Sequence, residues 1–239
     1  MCCLFGFVDY AGSLSVTQKN RLIRELSIAA EARGTDATGI AYNTPRELQI
    51  YKRPLAAHRL HLRIPAEAHV VMGHTRMTTQ GSAKKNFNNH PFSGRVKGKT
   101  FALAHNGTIW NDLELYRTKH LPRTKVQTDS FIAVQLIEQQ KSLDFSSLRY
   151  TAEAVEGSFS FTVLSERDDL YLIKGDNPLN IVHFPKVGVY AYASTSEILN
   201  KALARCGNWL GGGEKVAVEM GDIVKIDSNG RITRGTFDA

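Results

Sequence analysis

A cysteine stands directly behind the first methionine, in the opening Met1-Cys2-Cys3-Leu4-Phe5-Gly6. Removal of Met1 before a small residue is routine, and it would leave a thiol and a free α-amine on one residue. Ordinary pKa values of about 8.5 for a thiol and about 7.7–8 for an α-amine put both titrations near the pH at which a cell operates. Such a residue can attack a carbonyl and hand its own proton to its amine, directly or through a water. Position alone says less, because a small residue at the start of a strand would look the same. The case is carried by polar clusters downstream. They are Arg33-Gly34-Thr35-Asp36-Ala37-Thr38-Gly39, then Gly73-His74-Thr75-Arg76-Met77-Thr78-Thr79-Gln80-Gly81 and Asn88-Asn89-His90-Pro91. Ala104-His105-Asn106-Gly107-Thr108 and Thr128-Asp129-Ser130 complete the series.

The elements that must position these clusters can be read from periodicity. Cys3 to Val8 is a short apolar run ending in a turn signal, and it reads as a buried strand. Ser15 with Gln18 three residues later forms a capping-box pattern, and Leu22, Ile23, Leu26, Ala29 and Ala30 recur at helical spacing before Gly34. Gly39–Tyr42 and Leu48–Lys52 read as a hairpin around Asn43-Thr44-Pro45. His69–Gly73 and Thr100–His105 read as buried strands that each run into a polar cluster. Asp129 is placed to cap a helix through Gln140, and Phe145, Leu148, Ala152 and Val155 give a further apolar helix face.

From Ser158 onward the chain is mostly strand-like: Phe159–Leu164, Leu170–Lys174, Ile181–Phe184, Val187–Tyr192 and Asp222–Ile226. A helix over Ser196–Cys206 interrupts it. Strands in antiparallel pairs with grouped helices predict an α+β fold of sheet layers covered by helices, not a βαβ repeat.

Bulk composition narrows the class. The 239 residues are enough for a core without staples, and no linker, repeat or low-complexity tract divides them, so residues 1–239 are expected to form a single domain. No apolar run approaches the roughly 18 residues of a membrane span, and the N-terminus lacks a basic leader. Three cysteines, two of them adjacent, make no disulfide framework, which favours a reducing, cytoplasmic setting. The net charge of +7 is read as a solvated surface, with nucleic acid an unlikely partner. Its densest stretch, Lys84 to Lys99, has the composition of an exposed loop. His58 and His61 lie three apart in an expected short helix, while His74, His90 and His105 fall near the clusters. None matches a metal signature, and structural or hydrogen-bonding roles are expected, with no metal and no cofactor.

Taken in order behind Cys2, the clusters resemble the class II, or N-terminal-nucleophile, glutamine amidotransferases. The likeness covers roughly the first 130 residues, with Glu156-Gly157-Ser158-Phe159 and Ala193-Ser194 as further matches. It implies a four-layer αββα sandwich of the N-terminal nucleophile hydrolase type, with the nucleophile at the end of an inner strand. It also implies that Cys2 opens the side-chain amide of glutamine through a thioester to give glutamate and ammonia. Glutamine is a zwitterion with a neutral amide, so its pocket needs a cation, an anion and an oxyanion hole. Arg76 suits the α-carboxylate as a bidentate fork, and Asp129 suits the α-ammonium. Asn106 and the Gly107 N–H suit the oxyanion, and Thr79 with the backbone near Gln80 is expected to line the pocket.

Three positions depart from the family pattern: Cys3 in place of a glycine, Met77 in place of an aromatic residue, and Gln80 in place of a histidine. Ending at Ala239, the sequence leaves no room for a synthetase domain, so the ammonia is expected either to reach a separate ammonia-accepting synthetase or simply to be released. Two alternatives stay open. One is hydrolysis of another γ-glutamyl amide, and the other is a silent binding domain using Lys84, Lys85, Arg95, Lys97 and Lys99.

Overall fold

The computed structural model describes residues 2–239. Its frame is two antiparallel sheets lying face to face. The first contains β1 (Cys3–Asp9), β2 (Ala37–Asn43), β3 (Leu48–Arg53), β4 (Val70–Arg76), β9 (Asn180–Phe184), β10 (Val189–Ala193) and β11 (Glu214–Val216), in the spatial order β11-β9-β10-β1-β4-β2-β3. The second contains β5 (Phe92–Val96), β6 (Lys99–Ile109), β7 (Gly157–Ser165), β8 (Leu170–Lys174), β12 (Asp222–Ile226) and β13 (Ile232–Thr236), in the order β13-β12-β8-β7-β6-β5. Helices α1 (Val16–Ala30) and α5 (Ser196–Cys206) cover the first sheet, and α3 (Phe131–Gln140) and α4 (Phe145–Ala154) cover the second. A short α2 (Asp112–Thr118) follows β6.

The period-2 pleat sorts side chains into three cores. Cys3, Phe5 and Phe7 of β1 pack with Leu22, Ile23 and Leu26 of α1 and with Ile198 and Leu199 of α5. Their neighbours Leu4 and Val8 face the other way, joining Met72, Ala102, Ala104, Leu164 and Leu172 between the sheets. On the far side Phe101, Leu103, Phe161 and Val163 pack with Val134, Ile137 and Leu148 of α3 and α4. Helix, sheet, sheet, helix is the expected αββα order.

Local signals hold where they were strong. Ser15 caps α1 in a full capping box with Gln18, and α5 spans Ser196–Cys206. Elsewhere the structure corrects the expectations. The stretch from Lys84 to Lys99 is not simply an exposed loop: it contains the edge strand β5 and buries Asn88, Asn89 and His90. His58 lies in a single 3₁₀ turn, Ala57–Arg59, which His61 does not join, and its Nδ1 is 3.0 Å from Glu31. Helix α3 begins two residues after Asp129, with Ser130 at the cap. The Asp129 carboxylate instead accepts the N–H of Ile109 at 2.6 Å, because that β6 amide needs a partner where the strand runs out.

Candidate active site

Cys2 precedes the first residue of β1, and β1 lies inside its sheet between β10 and β4. Cys3 pairs with Thr75, so one step further along the antiparallel register Cys2 stands opposite Arg76, the last residue of β4. The alternation that sends Cys3 toward α1 turns Cys2 toward the second sheet. Its carbonyl accepts from Arg33 Nε at 2.8 Å, and its thiol donates to the Met77 carbonyl at 3.5 Å. Burial pushes the thiol above its ordinary pKa, against the pull of the Met77 contact and the Arg76 charge. A resting thiol here is protonated, so attack on a carbonyl requires a base.

The thiol borders a narrow cavity shared with Arg76, Met77, Thr79, Gln80, His90, His105, Gly107, Thr128, Asp129 and Ser130. Five of the six residues singled out in the sequence, Cys2, Arg76, Thr79, Gly107 and Asp129, therefore meet at one place. Asn106 does not border the cavity. It lies fully buried beside it, on the inter-sheet face that Ala102 and Ala104 share, and neither of its side-chain amide atoms has a protein partner among the described residues.

The clusters belong to the strands more than to the turns after them: His74 to Arg76 close β4, and Asn106 to Ile109 continue β6. Asn106-Gly107 is thus no tight turn. Gly107 is required for another reason, since its φ is +145° and an added Cβ would fall 1.8 Å from the Ser158 carbonyl on β7.

Arg76 is 3% exposed and already employed. Nη1 donates to Asn89 Oδ1 at 2.7 Å, and Nη2 donates to the carbonyls of Gln80 (2.5 Å) and Gly81 (3.2 Å). A guanidinium has five donors, which leaves Nε and one Nη1 proton for a carboxylate. Gln80 bridges to the opposite wall, its Oε1 accepting the Asp129 N–H at 2.6 Å. Asp129 is 5% exposed, and its carboxylate keeps lone pairs beyond those used by Ile109 and Ser130.

Two buried imidazoles, His90 and His105, complete the wall, and a third, His74, packs against His90. His74 Nε2 faces the His105 carbonyl at 2.9 Å, and burial presses its pKa down to about 3 against that hydrogen bond. The His90 ring packs at a tilt against His74 (centroids 4.1 Å apart) and Phe92 (4.4 Å), and neither of its ring nitrogens has a protein partner among the described residues. Burial, then the neighbouring imidazoles, hold it well below the ordinary range. His105 Nδ1 meets Ser130 Oγ at 2.8 Å, and burial lowers it despite the Asp129 charge. All three rings are neutral, and His74 and His105 are hydrogen-bonded while His90 is not. Among the described residues no group of three or more His, Cys, Asp and Glu is placed to hold a metal ion. Sequence reasoning placed the histidines near the clusters without giving them to the cavity, and it missed Thr128 and Ser130 as wall residues.

Cys3 does not crowd the site. It is buried against α1, free of any disulfide, and burial pushes its thiol up to about 11.

A four-layer αββα sandwich with a thiol at the head of an inner strand defines the N-terminal-nucleophile amidohydrolase class. Residues 21–169 match the family described as Glutamine amidotransferases class-II, and the chain belongs to that family. It is 31% identical over 188 residues to glutamine–fructose-6-phosphate aminotransferase (isomerizing) of Bacillus anthracis, a match covering 75% of this chain and 30% of the relative. The same enzyme of Thermus thermophilus is 31% identical over 175 residues, covering 70% and 27%. The chain thus spans less than a third of the curated relatives it matches. Among solved structures, glutamine phosphoribosylpyrophosphate amidotransferase from B. subtilis superposes with a TM-score of 0.75 at 17% identity, over 99% of this chain and 49% of that one. A Pseudomonas aeruginosa PA01 chain described as a predicted glutamine amidotransferase gives 0.53 at 15% identity, over 97% and 94%. Both show the same fold.

Proposed function

We propose that residues 1–239 act as one glutaminase domain that opens the side-chain amide of glutamine through Cys2 and releases ammonia. The observation that carries this reading is the convergence of Cys2, Arg76, Gly107 and Asp129 on one cavity, in a chain of the class-II family. Once Met1 is removed, the Cys2 amine takes the thiol proton and the sulfur attacks the glutamine δ-carbon. The Gly107 N–H and the unpartnered Asn106 amide stabilise the oxyanion. The ammonium returns its proton to the leaving nitrogen, the C–N bond breaks, and ammonia departs from a γ-glutamyl thioester. A water then attacks the thioester, giving its proton to the amine, and glutamate leaves as the thiol re-forms.

The α-carboxylate takes the free donors of Arg76, and the α-ammonium takes Asp129. The Arg76 side chain also holds the Gln80 and Gly81 carbonyls, so the same cation orders the loop that walls the substrate. The ammonia acceptor is proposed to be a separate synthetase, in a reducing, cytoplasmic compartment where the three cysteines stay free. No described helix is long and apolar enough to cross a membrane.

A second reading, hydrolysis of a larger γ-glutamyl amide, is favoured by a larger, more open cleft that shares Gln80, Thr128 and Asp129 with the cavity. Intact-mass analysis with a diazo-ketone analogue of glutamine tests the primary reading. The expected result is loss of Met1 and one adduct, mapped to Cys2. An adduct on Cys3 or Cys206 would overturn the assignment. A processed chain that refuses the analogue but cleaves γ-glutamyl peptides would establish the second reading.

A further inference from the structure

Lys52 has no place in the chemistry described so far, yet it occupies an unusual position. It lies on β3, and its ammonium donates to the carbonyls of Asn89 (2.5 Å) and Pro91 (2.9 Å), the two residues that flank His90. No carboxylate among the described residues forms an ion pair with it, and the Phe92 ring lies 5.0 Å from the charge. Burial brings its pKa down to about 8, so this charge is kept at a cost in free energy.

The neighbourhood is shaped to receive the 89–91 segment. Gly39 on β2 pairs with Lys52, and a Cβ there would fall 2.1 Å from the His90 carbonyl. Asn86 Nδ2 donates to the Lys52 carbonyl at 2.9 Å, and Asn89 Nδ2 donates to the Ala83 carbonyl at 2.8 Å. What the segment carries gives the arrangement its meaning. Asn89 Oδ1 holds Nη1 of Arg76, and His90 is a wall of the cavity.

We propose that Lys52 is a positioning residue for the substrate site: by clamping the carbonyls on both sides of His90 it fixes that ring in the wall and sets the Asn89 amide that aims Arg76. Lys52 touches no substrate and acts through Asn89 and His90. The proposal rests on the glutamine reading for its kinetic consequence and on geometry alone for the clamp.

The test compares Lys52→Met, which keeps the length of the side chain without its charge, with Lys52→Arg, which restores donors. In the Met variant the KM for glutamine should rise about tenfold or more, the equivalent of losing one charge-assisted hydrogen bond, while kcat stays within about threefold. Lys52→Arg should recover most of that loss. Amide exchange over residues 86–92 should quicken about tenfold or more in the Met variant, with β6 and β7 unchanged. A fall in kcat at unchanged KM, parallel to a loss of folded protein, would reduce Lys52 to a structural residue. Unchanged exchange over 86–92 would overturn the clamp itself. If wild-type protein neither takes the diazo-ketone nor turns over glutamine, the substrate reading fails, and exchange still decides whether Lys52 clamps the segment.

Discussion

Replacement of Asn106 by leucine should make the protein more stable and nearly inactive. Asn106 is fully buried on β6, and both atoms of its side-chain amide lack a protein partner among the described residues. A buried polar group without a partner costs about 1–3 kcal/mol. Leucine is close to asparagine in size but differs in shape, and a misfit in a packed layer costs about 1–3 kcal/mol. With two orphaned atoms against one misfit, the balance favours the variant by roughly 1–2 kcal/mol. In a domain of this size that corresponds to a rise in Tm of about 2–8 °C. The same substitution removes the proposed oxyanion donor, with an expected loss of about 10²–10³ in kcat. Thermal unfolding and ammonia release under saturating glutamine measure the two effects independently. A structural asparagine gives the opposite pair of results: a lower Tm with turnover within a few-fold of wild type. That outcome would refute the oxyanion assignment and the claim that its orphaned amide is kept for substrate.

Two further outcomes follow from the geometry. Gly107→Ala places a methyl group 1.8 Å from the Ser158 carbonyl at φ +145°, so chemical denaturation should show a loss of about 3 kcal/mol or more, and near-wild-type stability would mean that β6 and β7 are not held this closely. Acid should also destabilise the fold. His74 titrates at about 3 in the folded chain and near 6.5 when unfolded, so the unfolded state binds more protons between those values and stability falls as pH drops through the window. At pH 4.5 His74 alone removes about 3 kcal/mol relative to neutral pH, and His90 and His105 act in the same direction. Proton NMR checks the cause directly, since resonances of these three rings that titrate between about pH 5 and 7 would contradict it.

How far the sequence could be read depended on the range of the interactions. Ser15 with Gln18 and the apolar stripe of α1 are contained within one helix, and they were legible. So was the order of the clusters, because Cys2, Arg76, Gly107 and Asp129 are residue types with few alternative uses together. Asp129 shows the limit. Two residues before an apolar run it resembles a cap, but its carboxylate goes to Ile109, twenty positions earlier, and only the packing of two strands against α3 decides between those partners. Strand β5 was hidden because an edge strand with Phe92, Gly94 and Val96 inward and Ser93 and Arg95 outward offers just two bulky apolar residues. Strand β13, with Thr233, Arg234 and Gly235 at its centre, offered less still. Lys52 entered the sequence reading only as the last residue of the Leu48–Lys52 strand, and nothing local says that its partners lie 37 and 39 residues away.

The two adjacent thiols show why the frame matters more than the motif. Cys2 and Cys3 differ by one position, and in a pleated strand one position is the whole distance between two layers. Phe5 and Phe7 must face α1 while Leu4 and Val8 must face the second sheet, since each pair fills a core that its neighbours would leave open. That pattern fixes the register of β1 against β4, and with it the direction of both sulfurs. Cys3 is carried into the helix-facing core, where burial raises its thiol to about 11 and silences it. Cys2 is turned into the space between the sheets at the end where β4 and β6 switch from apolar to polar on the same face, from Met72 to His74 and Arg76 and from Ala102 and Ala104 to Asn106. A slip of one residue would exchange the two cysteines, so the hydrophobic alternation of β1 is what turns Cys2, the proposed nucleophile, toward the cavity.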